Sequence, residues 1–306
     1  MNPVLSALLR IPVHGVGLLV ACLPRSWEMA LGGFLGRCAL ACNTRHVRVA
    51  RENLARCLPE LSDERRRALL VENYEHYGRM VLELSHMFAP VPGHFRKYVL
   101  ANVSIEGYEN WEKAAARGKG VLFLGSHLAN WEFAASVGAI REMPITIVTR
   151  RLKPAWLHDW MERTRLSVGV RAAYQPRTIP TVMKALRDNG GVVFVMDQYM
   201  PPPMGEPMRL FGVMVHTLAA IAPLARRTGA AILPVLPKRE PDGRVRIIIE
   251  PEIPLGDDDK ADNQRLADRV EKWMRENPGQ ALWAHRRFKD VDWSSRVARP
   301  VSPSAS

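Results

Sequence analysis

Cysteine is scarce: the 306 residues hold four, Cys22, Cys38, Cys42 and Cys57, all in the first fifth of the chain. Cys38 and Cys42 share a helical face, but no second ligand pair with zinc-like spacing follows, so no metal site is expected. A disulfide framework is equally unsupported, a reducing compartment fits, and the four thiols read as small buried hydrophobes. There is no Walker loop, no Gly-x-Gly-x-x-Gly after a strand, no Gly-x-Ser-x-Gly elbow and no His-Glu-x-x-His. Nucleotide, nucleophilic-serine and zinc-peptidase chemistries thus lose their usual signatures. Acidic residues are also short, 31 against 43 Lys and Arg, for a formal charge of +12. Such a surface attracts phosphates, anionic lipid headgroups, nucleic acid or an acidic protein. The basic residues are scattered through helices without a zinc-finger or RNA-binding signature, so nucleic acid is not expected as a partner.

Uninterrupted apolar runs of membrane-spanning length are missing too. Residues 4–23 come closest, but Arg10, Pro12 and His14 interrupt them, and a charge at the bilayer centre is costly. Pro24-Arg25 follow Leu23 with no small-residue cleavage site, which argues against a removed signal peptide. Three readings stay open: a weak spanning anchor, a helix lying in the interface, and a buried helical hairpin of a soluble protein. A second apolar stretch, residues 29–42, either packs beside the first or dips into lipid.

What is present indicates a folded chain: 47% hydrophobic and 24% charged residues argue against disorder. Residues 1–100 read as helical, with Ser62 capping a run of three- and four-residue apolar spacing. From about residue 103, strand candidates at 121–125, 145–149, 192–196, 232–236 and 245–249 alternate with helical stretches near 129–140, 154–168, 178–188, 216–228 and 260–276. The alternation predicts an α/β fold, a mixed and mainly parallel central sheet flanked by helices, behind an N-terminal helical membrane-associated segment. The last two strands, joined through Pro241-Asp242-Gly243, read as an antiparallel hairpin. The expected division is 1–42 for membrane-associated helices, 43–100 for a helical lead-in, 101–292 for a catalytic domain and 293–306 for a polar tail.

The run Gly120-Val-Leu-Phe-Leu-Gly-Ser-His127-Leu-Ala-Asn130-Trp131-Glu132 carries the strongest chemical signal. An apolar strand feeds an imidazole at a turn, with a carboxylate five positions on. On a continuous helix five residues amount to about 500°, placing the two on different faces, so they meet only if the chain turns between them. His127 would then take a proton from a hydroxyl while Glu132 orients the ring. Ligands bind at the carboxyl ends of strands in open α/β sheets, and Asn130 and Trp131 offer substrate contacts in the same turn. A lone His that merely lies near a Glu, without a catalytic role, is the competing reading.

Asp197-Gln198 end another strand and project at the same edge, either toward substrate or as a turn brace. Arg150, Arg151 and Lys153 follow the 145–149 strand, and Arg163 and Arg165 sit on the next helix. Arginine suits phosphate recognition, although for any one of these a solvated face is the stronger explanation. The loop 199–211, with three prolines, Met204 and Met208, suits an apolar wall, and Trp283-Ala-His285-Arg286-Arg287-Phe-Lys289 mixes aromatic and basic residues.

These residues resemble the lysophospholipid acyltransferase superfamily and, within it, the lipid A late (secondary) acyltransferases. His127-Leu-Ala-Asn-Trp-Glu132 looks like that family's His-x4-Asp/Glu motif. Further matches run in the family's order: Asn53-Leu54, Leu58-Pro59-Glu60, Thr149-Arg150, Asp197-Gln198, Leu210-Phe211-Gly212, residues 225–230 and residues 283–289. The resemblance spans about residues 5–290. It implies transfer of a fatty acyl chain from acyl carrier protein, or acyl-CoA as co-substrate, to a hydroxyl of a phosphorylated glycolipid acceptor. It also implies the cytoplasmic face of a bacterial inner membrane, an anionic surface to sit on, and neither metal nor covalent acyl-enzyme. His127 would be the base and Glu132 its orienting partner, with Arg150 or Arg165 holding an acceptor phosphate or the oxyanion. Two departures mark a divergent member: Ser126-His127-Leu128 stands where Gly-His-Phe is usual, and Arg209-Leu-Phe-Gly212 where Pro-Phe-Phe-Gly is. Rival readings are transfer to another lipid, a basic lipid- or carrier-binding protein without catalysis, and a thioesterase-like hydrolase that activates water with the same His127–Glu132 pair.

Overall fold

The computed structural model describes residues 3–42 and 44–297. Its elements in chain order are α1 (Pro3–Ala21), α2 (Arg25–Ala41), α3 (Arg45–Cys57), α4 (Asp63–Ser85), α5 (His94–Asn102), β1 (Val103–Glu106), α6 (Tyr108–Ala115), β2 (Val121–Gly125), α7 (Trp131–Ile140), β3 (Ile145–Thr149), α8 (Ala155–Ser167), β4 (Arg171–Tyr174), α9 (Ile179–Arg187), β5 (Gly191–Val195), β6 (Gly205–Leu210), β7 (Val213–Leu218), α10 (Ile221–Thr228), β8 (Ala231–Arg239), β9 (Val245–Ile249) and α11 (Asp259–Glu276).

The helical lead-in follows from local chemistry. Thr44 and Ser62 accept from the backbone N–H groups of Val47 and Arg65 and so satisfy amides that the first turns of α3 and α4 leave free. Asp63 and Glu64 complement the positive end of α4. Helix α2 lies against α4 backbone to backbone: a Cβ on Gly36 would stand 2.0 Å from the Tyr74 carbonyl oxygen, and one on Gly78 2.0 Å from that of Gly32. Glycine is required at that crossing.

The seven-stranded sheet runs β1-β9-β8-β2-β5-β3-β4. Every pairing is parallel except β8 with β9, the antiparallel hairpin expected at the Asp242-Gly243 turn. Strand β2 sits near the middle and is buried along its whole length. Its side chains alternate between two cores. Phe123 packs with Phe95, Trp111 and Phe133 of α5, α6 and α7, whereas Leu122 and Leu124 pack with Leu186, Leu224 and Trp273 of α9, α10 and α11. A sheet covered on both faces explains why these strands read as continuous apolar runs.

The structure departs from the sequence reading in several places. Residues 216–218 are strand rather than helix, part of β7, which pairs with β6 through a two-residue turn at Phe211-Gly212 with φ of 49° and 81°. The loop expected at 199–211 thus contains a strand, and its Met208 and Leu210 are buried. Strands β1 and β4, four residues each and half-buried, lacked a readable pattern. Cys22, Cys38 and Cys42 are exposed and only Cys57 is buried: Cys22 follows α1, Cys38 lies on an uncovered face of α2, and Cys42 caps its end. No helix among the described residues is long and apolar enough to cross a membrane. Of the expected polar tail, residues 298–306 lie outside the described residues.

Candidate active site

Parallel register builds the centre of the site. Gly125 of β2 faces Val195 of β5; two residues further along each chain, His127 meets Asp197. Asp197 is 5% exposed and accepts twice from His127, at 2.9 Å from the backbone N–H to Oδ2 and at 2.8 Å from ring Nδ1 to Oδ1. A carboxylate only accepts, so the ring proton sits on Nδ1 and Nε2 keeps its lone pair. Burial alone would push the imidazole below its ordinary range, but Asp197 outweighs it and raises His127. Asp197 is held low in turn: burial works against its charge, and His127 more than compensates. Gln198 Nε2 lies 3.5 Å from His127 Nε2, and the Trp131 ring stands edge-on to the imidazole at 4.7 Å.

Glu132 does not orient His127. It is buried and receives a bidentate pair from Arg165 of α8, Nε to Oε1 at 2.6 Å and the terminal nitrogen to Oε2 at 2.8 Å. The pairing follows from position: in the first turn of α7 the Glu132 side chain leans toward α8, and Asp197 already occupies His127 Nδ1. Arg165 is 8% exposed, and Glu132 holds its pKa above the ordinary value despite burial. Arg150 stays apart from both pairs, exposed beyond β3 with its Nε on Gln175 at 2.8 Å.

Asn130 is fully buried rather than open to substrate. Its Oδ1 caps α7 by accepting from Phe133 N–H, and its Nδ2 donates to Glu83 Oε2 at 2.9 Å. Glu83, on α4, also takes Arg25 and a bidentate Arg239 at 2.6 Å each. Burial raises its pKa, but the two guanidiniums and Asn130 prevail and bring it down to about 2. His76 completes the support, accepting from Arg239 Nε at 3.2 Å and donating to the Ala129 carbonyl at 3.2 Å. Ala129 itself has a φ of 44°, so the turn carrying the base is braced where its backbone is least comfortable. Burial and then Arg239 lower His76 to about 3, keeping it neutral.

The closing basic-aromatic segment braces the other partner. Arg287 is 2% exposed and donates to the Gln198 carbonyl and, at 2.9 Å, to Thr217 Oγ1. Asn53 holds the carbonyls of Trp283 and His285 at 2.8 and 3.0 Å. Glu83, Arg239, His76 and Arg25 had no sequence signal, because residues up to 218 positions apart converge here.

A cavity of about 120 Å³ begins at these groups. Ser126, His127, Trp131, Glu132, Thr149 and Arg165 supply its polar lining, and the remainder is apolar, from Ile105 of β1 and Ile247 of β9 through Phe123 to Ile145 of β3. Five inter-strand steps of ~4.8 Å separate β1 from β3, roughly 24 Å. So small a volume spread over that width is a slot, lying between the sheet and α7. The Ser126 hydroxyl is buried without a hydrogen-bond partner among the described residues.

The chain is 28% identical to a lipid A biosynthesis lauroyltransferase of Escherichia coli (strain K12) over 279 residues, covering 90% of this chain and 89% of the relative. It is also 28% identical to a lipid A biosynthesis palmitoleoyltransferase of the same organism, over 90% of this chain and 86% of the relative. A phosphatidylinositol mannoside acyltransferase of Mycobacterium tuberculosis (strain CDC 1551 / Oshkosh) matches at 28% over 60% of this chain and 58% of its own length. Residues 5–290 match the family described as bacterial lipid A biosynthesis acyltransferases. The protein belongs to that family and is an acyltransferase.

Proposed function

We propose that this acyltransferase moves a fatty acyl chain from the thioester of acyl carrier protein to a hydroxyl of a lipid A precursor, with His127 as general base and Asp197 as its orienting partner. The observation that carries the mechanism is the Asp197–His127 hydrogen bond, which leaves Nε2 as the proton acceptor beside an apolar slot. The acceptor hydroxyl gives its proton to Nε2 as its oxygen attacks the thioester carbonyl carbon. Asp197 stabilises the imidazolium that forms. The carbon–sulfur bond then breaks, and the departing thiolate takes the proton from Nε2. Glu132 and Arg165 form the polar wall opposite, and the slot takes the hydrocarbon chain of the donor. A net charge of +12 suits an acidic carrier protein and a phosphorylated acceptor.

The same reading puts the enzyme at the cytoplasmic face of the inner membrane, with α1 and α2 lying in the interface. Leu19 and Trp27 are 71% and 70% exposed, and Ile11, Phe34 and Leu35 are exposed with them. An uncovered apolar face of this kind marks a binding surface, and the exposed Arg45, Arg48 and Arg51 of α3 add attraction for anionic lipid. Mass spectrometry of membrane lipids from cells with and without the protein tests the proposal. Loss of one acyl chain from lipid A in its absence is expected. The match to a phosphatidylinositol mannoside acyltransferase favours a second glycolipid acceptor, which would show the loss on another lipid instead. No change in any lipid would overturn both.

A further inference from the structure

We propose that Gly138 sets the length of acyl chain the enzyme accepts. The inference rests on the reading that the slot beneath α7 holds the donor's hydrocarbon chain. Helix α7 roofs that slot with Trp131, Ala134, Ala135 and Gly138, positions three and four apart and therefore on one face. The face diminishes from indole through methyl to hydrogen as it recedes from His127. Seven residues separate Trp131 from Gly138, a rise of about 10 Å along the helix. There the roof faces Met143 and Ile145, each 3% exposed, at the start of β3 and away from the polar groups.

Nothing in the backbone demands glycine at this place. Gly138 is absent from the residues of positive φ, and a glycine inside a helix is unfavourable relative to alanine. Nor does close packing require it. A Cβ would stand 3.4 Å from Ile145 Cγ1 and Met143 Sδ, side-chain atoms in ordinary contact range, in contrast to the 2.0 Å approaches to backbone oxygen at Gly36 and Gly78. A Cβ at 138 already reaches Ile145 and Met143, so any larger side chain has to extend into the slot that Gly138 lines. A larger side chain there occupies the volume that the terminal methylenes of a long chain need, while a shorter chain stays clear of it. Gly138 thus acts on donor choice without touching the reacting atoms.

The test compares wild type, Gly138→Ala and Gly138→Leu on a series of saturated acyl carrier protein thioesters from eight to sixteen carbons. For Gly138→Leu the optimum is expected to move to shorter chains. The kcat/KM ratio of long to short donors should fall about tenfold or more for each methylene excluded, with transfer of the shortest chains retained. Gly138→Ala is expected to shift the optimum less and to raise the melting temperature, which separates a pocket effect from a folding defect. A second variant, Ile247→Trp, fills the far arm of the slot on β9. If Ile247→Trp alone changes the length profile, the chain lies in that arm and Gly138 is not the gauge, although the slot still holds the donor. If neither variant changes it, the slot reading fails as well. An equal rate loss for all lengths in a stably folded Gly138→Leu also overturns the proposal.

Discussion

At the scale of the residue, the chemistry turns on one ring nitrogen. Asp197 holds the His127 proton on Nδ1 and raises the imidazole pKa, so the base is competent only where the ring is neutral. The rate of transfer should therefore fall as pH drops through the raised pKa. In Asp197→Asn the raising charge is lost, so that limb should move to lower pH. The amide also no longer enforces the tautomer, and kcat should drop by about 10³–10⁴-fold. A pH profile of kcat/KM for both proteins checks the two effects; an unmoved limb would remove Asp197 from its role. The sequence made His127 and Asp197 visible separately, since each ends an apolar run. Their pairing was not legible: Glu132 is five residues from His127, Asp197 is 70 away, and only the β2–β5 register makes the distant carboxylate the near one.

At the scale of the element, α7 and the turn before it are positioned by buried ion pairs. Glu132 and Arg165 have side-chain exposures of 4% and 9%, and Glu132→Ala leaves the guanidinium uncompensated in that setting. A loss of about 3–5 kcal/mol in denaturant unfolding is expected. A double variant, Glu132→Leu with Arg165→Leu, should recover much of that stability while remaining impaired in transfer. Full stability in the single variant would mean that water replaces Glu132. Asn130→Ala removes the α7 cap and one of the four hydrogen bonds to Glu83, so about 1–3 kcal/mol should go with it. The strands that were legible, β2, β3, β5, β8 and β9, read as apolar runs because most of their side chains are covered by the two cores. Strands β6 and β7 were obscured because Pro207 and the methionines break the apolar sequence, and the alternation in β7 resembled a helical period over so few residues.

At the scale of the whole molecule, a sheet braced by helices on both faces carries the site at the carboxyl ends of its central strands, and the uncovered apolar faces of α1 and α2 lie outside it. If those helices seat the enzyme in lipid, Trp27→Glu combined with Phe34→Glu should abolish co-sedimentation with anionic vesicles while leaving the melting temperature unchanged. Equal sedimentation would place membrane contact elsewhere. The apolar composition of this segment and its interruptions at Arg10 and Pro12 were plain in the sequence, whereas the close packing of α2 on α4 through Gly36 and Gly78 was legible only in the fold. The most direct measurement of the central claim is the mass of a lipid A precursor after incubation with acyl carrier protein thioester and purified enzyme. Wild type is expected to add one acyl chain and His127→Ala none, with both proteins melting at the same temperature. Transfer by His127→Ala at the wild-type rate would contradict it.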